Sequence, residues 1–228
     1  MVNSNDKLIL SEDCMKVLTV ANRKGGAGKS TCAAHLALEA VTGGLKTILI
    51  DMDPQKTLEM WWDKRVEENP YLIDTNANDL LKSIETLRDK SFDLCIIDTP
   101  GDASQNAISG IKVADLVLIP SKPTAPDLAA IGRTISMVEE SHKAFAFVIT
   151  QGINRAKAAL QAASVLSQFG AVAPSIISNR TAYANAMGLG SSACLLDKQA
   201  EEEIQQVWSF VKARLFEERK STKQKLMA

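Results

Sequence analysis

Three five-residue runs, TILID (47–51), LCIID (94–98) and LVLIP (116–120), are apolar at consecutive positions rather than at alternate ones. A strand with one wet face alternates. A strand apolar on both faces must be covered on both, which is the situation inside a parallel sheet. Further β-type runs stand at 16–21 (KVLTVA), 145–150 (FAFVIT) and about 171–177. Between them lie helical patterns at 30–41, about 57–68, 78–89, 104–113, 127–143 and 156–169. Helices over 181–188 and 198–216 close the order, the last with Ile204, Val207, Trp208, Val211 and Leu215 on one stripe. Strand–helix alternation of this kind predicts βαβ units: an α/β fold with a doubly wound, mostly parallel sheet and helices on both faces.

The 228 residues, 46% hydrophobic and 23% charged, suit one globular domain of that kind. The expected organisation is a flexible leader over 1–14, a single domain over 15–218 and a basic flexible tail over 219–228 (RKSTKQKLMA). The leader lacks a basic segment followed by an apolar one, and no apolar run nears 18 residues, so neither a signal peptide nor a membrane span is expected. Lys and Arg (26) nearly cancel Asp and Glu (27), so any DNA binding must come from a local patch. Cysteines 14, 32, 95 and 194 show no CxxC spacing. That points away from zinc and disulfides and toward reduced thiols in the cytoplasm. Cys32 is expected to be small and buried, with its nearness to a loop described next raising the question of oxidation. His35 and His142 stand alone, with structural or solvent roles expected. Trp61 and Trp62 are adjacent, so only one can face the core.

The sharpest motif follows the first strand: Asn22-Arg23-Lys24-Gly25-Gly26-Ala27-Gly28-Lys29-Ser30-Thr31. Glycines let backbone N–H groups turn inward, and the helix that begins here points its N-terminus at an anion. Lys29 would reach the β- and γ-phosphates and the Ser30 hydroxyl would ligate Mg²⁺. The strict GxxxxGK[ST] pattern fails, because Arg23 stands at its first glycine. What matches is KGGxGK[ST]T, with Lys24 ahead of the glycines.

Ligands of open α/β sheets sit at the carboxyl ends of the strands. Asp51 and Asp53 lie at one such end (ILIDMDPQ) and Asp98 at another (CIIDTPG). Strand-end aspartates otherwise cap helices or form turns. Asp98 has the Walker B arrangement and should hold Mg²⁺ through water, with Thr99–Gly101 as a switch sensing the γ-phosphate. Spacing alone does not divide the work between Asp51 and Asp53.

KGGAGKST (24–31) and DMDPQ (51–55) together make the chain resemble the ParA/MinD family of deviant Walker A ATPases, on the P-loop NTPase fold. Further stretches extend the resemblance over most of the chain, toward short plasmid-partition ParA proteins. These are IPSKPTAPD (119–127), similar to the family's IPxxPSxxD, and Arg180-Thr181-Ala182-Tyr183 with Ala186 and Gly188, similar to RxAY…A…G. Thr150-Gln151 departs from the Asn-Gln of many relatives. The resemblance implies ATP and Mg²⁺ as cofactors, with Lys24, Gly25, Gly26, Ala27, Gly28, Lys29, Ser30, Thr31 and Asp98 at the nucleotide. It implies Ser30, Asp51 and Asp98 near the metal, and Lys24, Lys29 and Asp53 in catalysis, with Asp53 orienting the attacking water. Lys24 matches the signature lysine that crosses an ATP-sandwiched homodimer.

Partners implied are non-specific DNA and a ParB-like adaptor or centromere-binding protein that stimulates slow hydrolysis. The location implied is cytoplasmic and nucleoid-associated, and no membrane is expected. Candidate DNA contacts are Arg155, Lys157, Arg180, Lys212, Arg214, Arg219 and Lys220. A MinD-like membrane-associated role would require an amphipathic C-terminal helix, yet the stripe ends at Leu215. A small-molecule ligase on the same fold is the other alternative. The sequence does not name the cargo.

Overall fold

The computed structural model describes residues 15–153 and 156–216. The strands are β1 (Lys16–Val20), β2 (Thr47–Asp51), β3 (Tyr71–Ile73), β4 (Leu94–Asp98), β5 (Leu116–Ser121), β6 (Phe145–Gly152), β7 (Ala171–Val172) and β8 (Ile177–Ser178). The helices are α1 (Lys29–Thr42), α2 (Thr57–Trp62), α3 (Leu80–Arg88), α4 (Gln105–Val113), α5 (Ala125–Glu140), α6 (Lys157–Leu166), α7 (Thr181–Leu189) and α8 (Lys198–Phe216), with a 3-10 turn at Ala193–Leu195. The sheet order is β3-β2-β4-β1-β5-β6-β7, with β8 beside β6, and every pairing is parallel. The order reverses at β1, so the loop after β1 lies at the switch point, where such sheets bind ligands.

Consecutive apolar residues in the strands are explained by two covered faces. Leu18, Leu49, Leu94 and Ile96 face a core shared with α1, α7 and α8. Val17, Ile48, Ile50, Cys95 and Ile97 face the other way, onto α3 through Leu80, Ile84 and Leu87. Toward the other sheet edge Val117, Ile119, Phe147 and Ile149 meet α5 and α6. Among the described helices none is long and apolar enough to cross a membrane.

Several expected boundaries shift. The 57–68 helix stops at Trp62, because the chain beyond it folds back: the Lys64 ammonium donates to the Gly188 carbonyl and the Arg65 guanidinium to those of Gly190 and Asn69. The 171–177 run splits into β7 and β8 around Pro174, which has no N–H for a ladder. Strand β3 was not expected. Trp61 is the packed member of its pair, its indole N–H donating to the Ser191 carbonyl. Buried His35 bridges α1 to the 3-10 turn: Nδ1 donates to the Thr31 carbonyl and Nε2 accepts the Ala193 N–H. Burial lowers its pKa to about 4, so it is neutral. Cys32 is wholly buried and its thiol is pushed up to about 12, which removes the thiolate that oxidation requires.

Candidate nucleotide site

The loop between β1 and α1 is built by its neighbours. Buried Asn22 donates its amide N–H to the Pro120 carbonyl (2.6 Å) and accepts the Lys24 backbone N–H (2.8 Å). The Thr150 hydroxyl donates to the Ala27 carbonyl and the Gln151 amide to that of Gly26. Two loop carbonyls are thus drawn toward the end of β6. Gly28 precedes α1 at φ 88, a left-handed conformation that L side chains rarely adopt, and α1 begins without a side-chain cap. Uncapped first-turn N–H groups are what an anion would satisfy. Thr150 and Gln151, which looked only like a departure from the family pattern, therefore brace the loop. Their signal was their place at a strand end beside the switch point.

The two loop lysines differ. Lys24 is exposed, whereas Lys29 is 7% exposed and its Nζ lies 3.4 Å from the position a Cβ on Gly101 would take. That Cβ would also stand 3.2 Å from Gly25 N and Cα, so Gly101 lets the segment after β4 press against the loop. Thr99 anchors this segment by donating its hydroxyl to the Val20 carbonyl.

Strand register places the acids. Asp98 pairs with Val20 on one side and Asp51 on the other. Asp98 is 0% exposed, and neither carboxylate oxygen has a hydrogen-bond partner of full geometry. Burial lifts its pKa to about 7; Asp51 and Asp53 push the same way, and Ser30 and Lys29 oppose. A buried carboxylate with orphan oxygens beside a hydroxyl and an ammonium fits a hydrated divalent cation held with a nucleotide. Mg²⁺ of this kind keeps several waters and takes only one or two carboxylates. Among the described residues no cluster of three His, Cys, Asp or Glu forms a complete metal cage.

Asp51 stands beside Asp98 across the strand pair, and its oxygens are also engaged by backbone. One oxygen accepts the Leu58 and Glu59 N–H groups and the other the Asp53 N–H, so Asp51 caps the start of α2. Asp53 is half-buried, with one oxygen accepting the Gln55 N–H.

Of the basic candidates, Lys157, Arg180, Lys212 and Arg214 fall among the described residues. Arg180 donates to Glu203 through Nε (3.1 Å) and Nη2 (2.8 Å) and to Gln199 through Nη1 (2.8 Å). These donors serve the fold, which gives Arg180 a structural role beside the expected DNA contact. Half-buried Arg214 stacks 3.6 Å above the Phe210 ring and donates to the Phe210 carbonyl through Nη1. Lys157 is exposed at the start of α6 and Lys212 is half-buried on α8. Arg155, Arg219 and Lys220 lie outside the described residues. A concavity of about 730 Å³ lined by Ile149, Leu160, Ile176, Arg180 and Glu203, among others, shares no residue with the loop.

Comparison with known proteins matches residues 18–191 to the model of the CobQ/CobB/MinD/ParA nucleotide binding domain. Protein ParA of Rhizobium radiobacter is 36% identical over 132 residues, 57% of this chain and 59% of that protein, so the chain spans well under two thirds of this relative. Maintenance of carboxysome distribution protein A of Halothiobacillus neapolitanus is 27% identical over 83% of this chain and 93% of its own length. Among solved structures, a Cyanothece McdA variant in complex with ATP superposes with a TM-score of 0.72 at 22% identity, over 90% of this chain and 97% of that one. Aquifex aeolicus MinD in its MinC complex superposes with 0.73 at 17% identity, over 87% and 96%. The doubly wound fold is therefore that of the MinD and ParA structures.

Proposed function

Because the chain belongs to the CobQ/CobB/MinD/ParA nucleotide-binding family, we propose that it is an ATPase switch that positions plasmid DNA or another cargo by dimerising on ATP. The observation that carries this reading is the division of labour between two lysines on one loop: Lys29 buried against Gly101, Lys24 exposed. A buried ammonium at the start of α1 serves the subunit's own phosphates. An exposed one ahead of the glycines is available to the nucleotide of a second subunit. A relative named Protein ParA and another named for the maintenance of carboxysome distribution support the positioning role.

Each residue then has a task. The loop N–H groups and Lys29 bind and orient the triphosphate. Ser30 and Asp98 would hold Mg²⁺, whose charge offsets that of the phosphates. Asp53, with one oxygen outside its turn, holds the attacking water by accepting its proton in a hydrogen bond. Thr99–Gly101, pressed on the loop, registers whether the terminal phosphate is there. Hydrolysis gives ADP and phosphate and releases the second subunit. A DNA-bound adaptor speeds that step, and the dimer engages nucleoid DNA through Lys157, Lys212 and the basic residues at 155, 219 and 220.

Light scattering on the purified chain tests this. The wild type should double in mass with a non-hydrolysable ATP analogue and Mg²⁺, and stay single with ADP. Lys24→Ala should bind ATP yet remain single. A wild type that stays monomeric with the analogue would falsify the switch.

A further inference from the structure

One cation beside the loop has no task in this scheme. Lys122 follows Ser121, the last residue of β5, and is half-buried. Its backbone is held on both sides. Two residues upstream, the Pro120 carbonyl takes the Asn22 amide and so ties the strand end to the start of the loop. One residue downstream, Pro123 packs on Gly152, where a Cβ would stand 3.2 Å from Pro123 Cγ. Held this way, Lys122 reaches over the glycines: its Nζ lies 3.7 Å from the position a Gly26 Cβ would occupy. The Gly26 carbonyl meanwhile accepts from the Gln151 amide. Among the described residues the ion pairs of the lysines and arginines involve Lys56, Arg65 and Arg180, and Lys122 has none.

A half-buried ammonium that hangs over a glycine loop and has no carboxylate partner is placed to meet an anion there. The loop under it presents N–H groups suited to an anion. We propose that Lys122 is a third phosphate-binding lysine, which grips the polyphosphate chain of the nucleotide from the β5 side of the loop. The inference rests on the nucleotide-binding reading and deepens it. Lys24 belongs to the second subunit's nucleotide and Lys29 to the inner side of the loop. Lys122 closes the opposite side, and does so within a single subunit.

The test is equilibrium binding of fluorescent ATP and ADP analogues, with Mg²⁺ and at two salt concentrations, to the full chain and to Lys122→Met, Lys122→Arg and Lys29→Ala. Removing one charge-assisted contact at a partly exposed site should weaken ATP binding by about tenfold. Lys122→Met should show that loss together with a shallower salt dependence. Lys122→Arg should recover to within about threefold, because it restores the charge. If Lys122→Met melts early, Lys122→Gln replaces it. Lys122→Met affinity within twofold of wild type, alongside a Lys29→Ala that loses binding, overturns the inference and leaves the nucleotide reading standing. Lost affinity with unchanged salt dependence and no recovery in Lys122→Arg marks a packing role and also overturns it. A wild type that binds neither nucleotide removes both.

Discussion

A buried carboxylate without partners opposes folding, and Asp98 is the residue that carries this cost. Its folded pKa is raised from 3.8 to about 7, so the folded chain holds a proton that the unfolded chain has released. The resulting stability is complete below about pH 4 and disappears as pH rises through 7. The difference is on the order of 4 kcal/mol at one pKa unit per 1.36 kcal/mol. His35 runs the other way: its pKa is lowered from 6.5 to about 4, so its contribution is present above 6.5 and is lost as pH falls. A comparison with Asp98→Asn separates the two, because both proteins keep His35. At pH 8 and without nucleotide, Asp98→Asn should melt several degrees above the wild type, and the gap should narrow as pH falls below 7 and close near pH 4. Its Mg²⁺-dependent ATP binding should fall at least tenfold. In the wild type the same Mg²⁺-dependent binding should decline as pH drops below 7, as the carboxylate takes up its proton. An Asp98→Asn protein that melts below the wild type at pH 8 would show that a hidden partner satisfies Asp98. The motif made Asp98 legible from sequence, since an apolar run ending in Asp after a phosphate loop has few other uses. Asp51 was not, because its partners, the N–H groups of Leu58 and Glu59, appear only once α2 turns back over the strand end.

Elements were legible in proportion to how local their causes are. TILID and LCIID appear as β2 and β4 with the same bounds, and 198–216 appears as α8, because burial on both faces is written in consecutive apolar residues and a helical face in a five-residue stripe. Strand β3 is three half-buried residues, too short for a pattern, and exists because β2 offers it an edge. The fate of Arg180 was illegible for a related reason. Its partner Glu203 lies 23 residues on, and they meet only when α8 packs beside β8. Glu203 is 4% exposed and also accepts from the Ser178 N–H, the Ser178 hydroxyl and the Tyr183 hydroxyl. It gathers β8, α7 and α8 into one joint. Removing its cation leaves a buried charge short of a partner, a loss of roughly 2–4 kcal/mol for a partly exposed arginine. Arg180→Ala should therefore lower the melting temperature by about 5–15 °C. Double Arg180→Ala/Glu203→Gln should recover part of it. Equal melting of Arg180→Ala and wild type would remove that structural role from Arg180.

On the scale of the whole molecule, a chain with net charge -1 cannot bind DNA through its overall field. A local patch must then supply the contacts, and doubling that patch by dimerisation becomes the means of raising affinity. Two phosphate contacts per subunit give a salt slope of about -1.8, and four per dimer about -3.6. Affinity for non-specific duplex should thus be steeply salt-dependent with a non-hydrolysable ATP analogue and weak with ADP. Lys24→Ala should bind with about half the wild-type slope under either nucleotide, since it would load ATP without pairing. Lys157→Ala should remove about two units of slope from the dimer while leaving its assembly intact, because each residue counts twice there. Filter binding across a salt series reads both numbers directly. A wild-type slope that is the same with ADP as with the ATP analogue would disconnect DNA from the nucleotide state. The positioning role would then have to run through another surface, even with the nucleotide site intact.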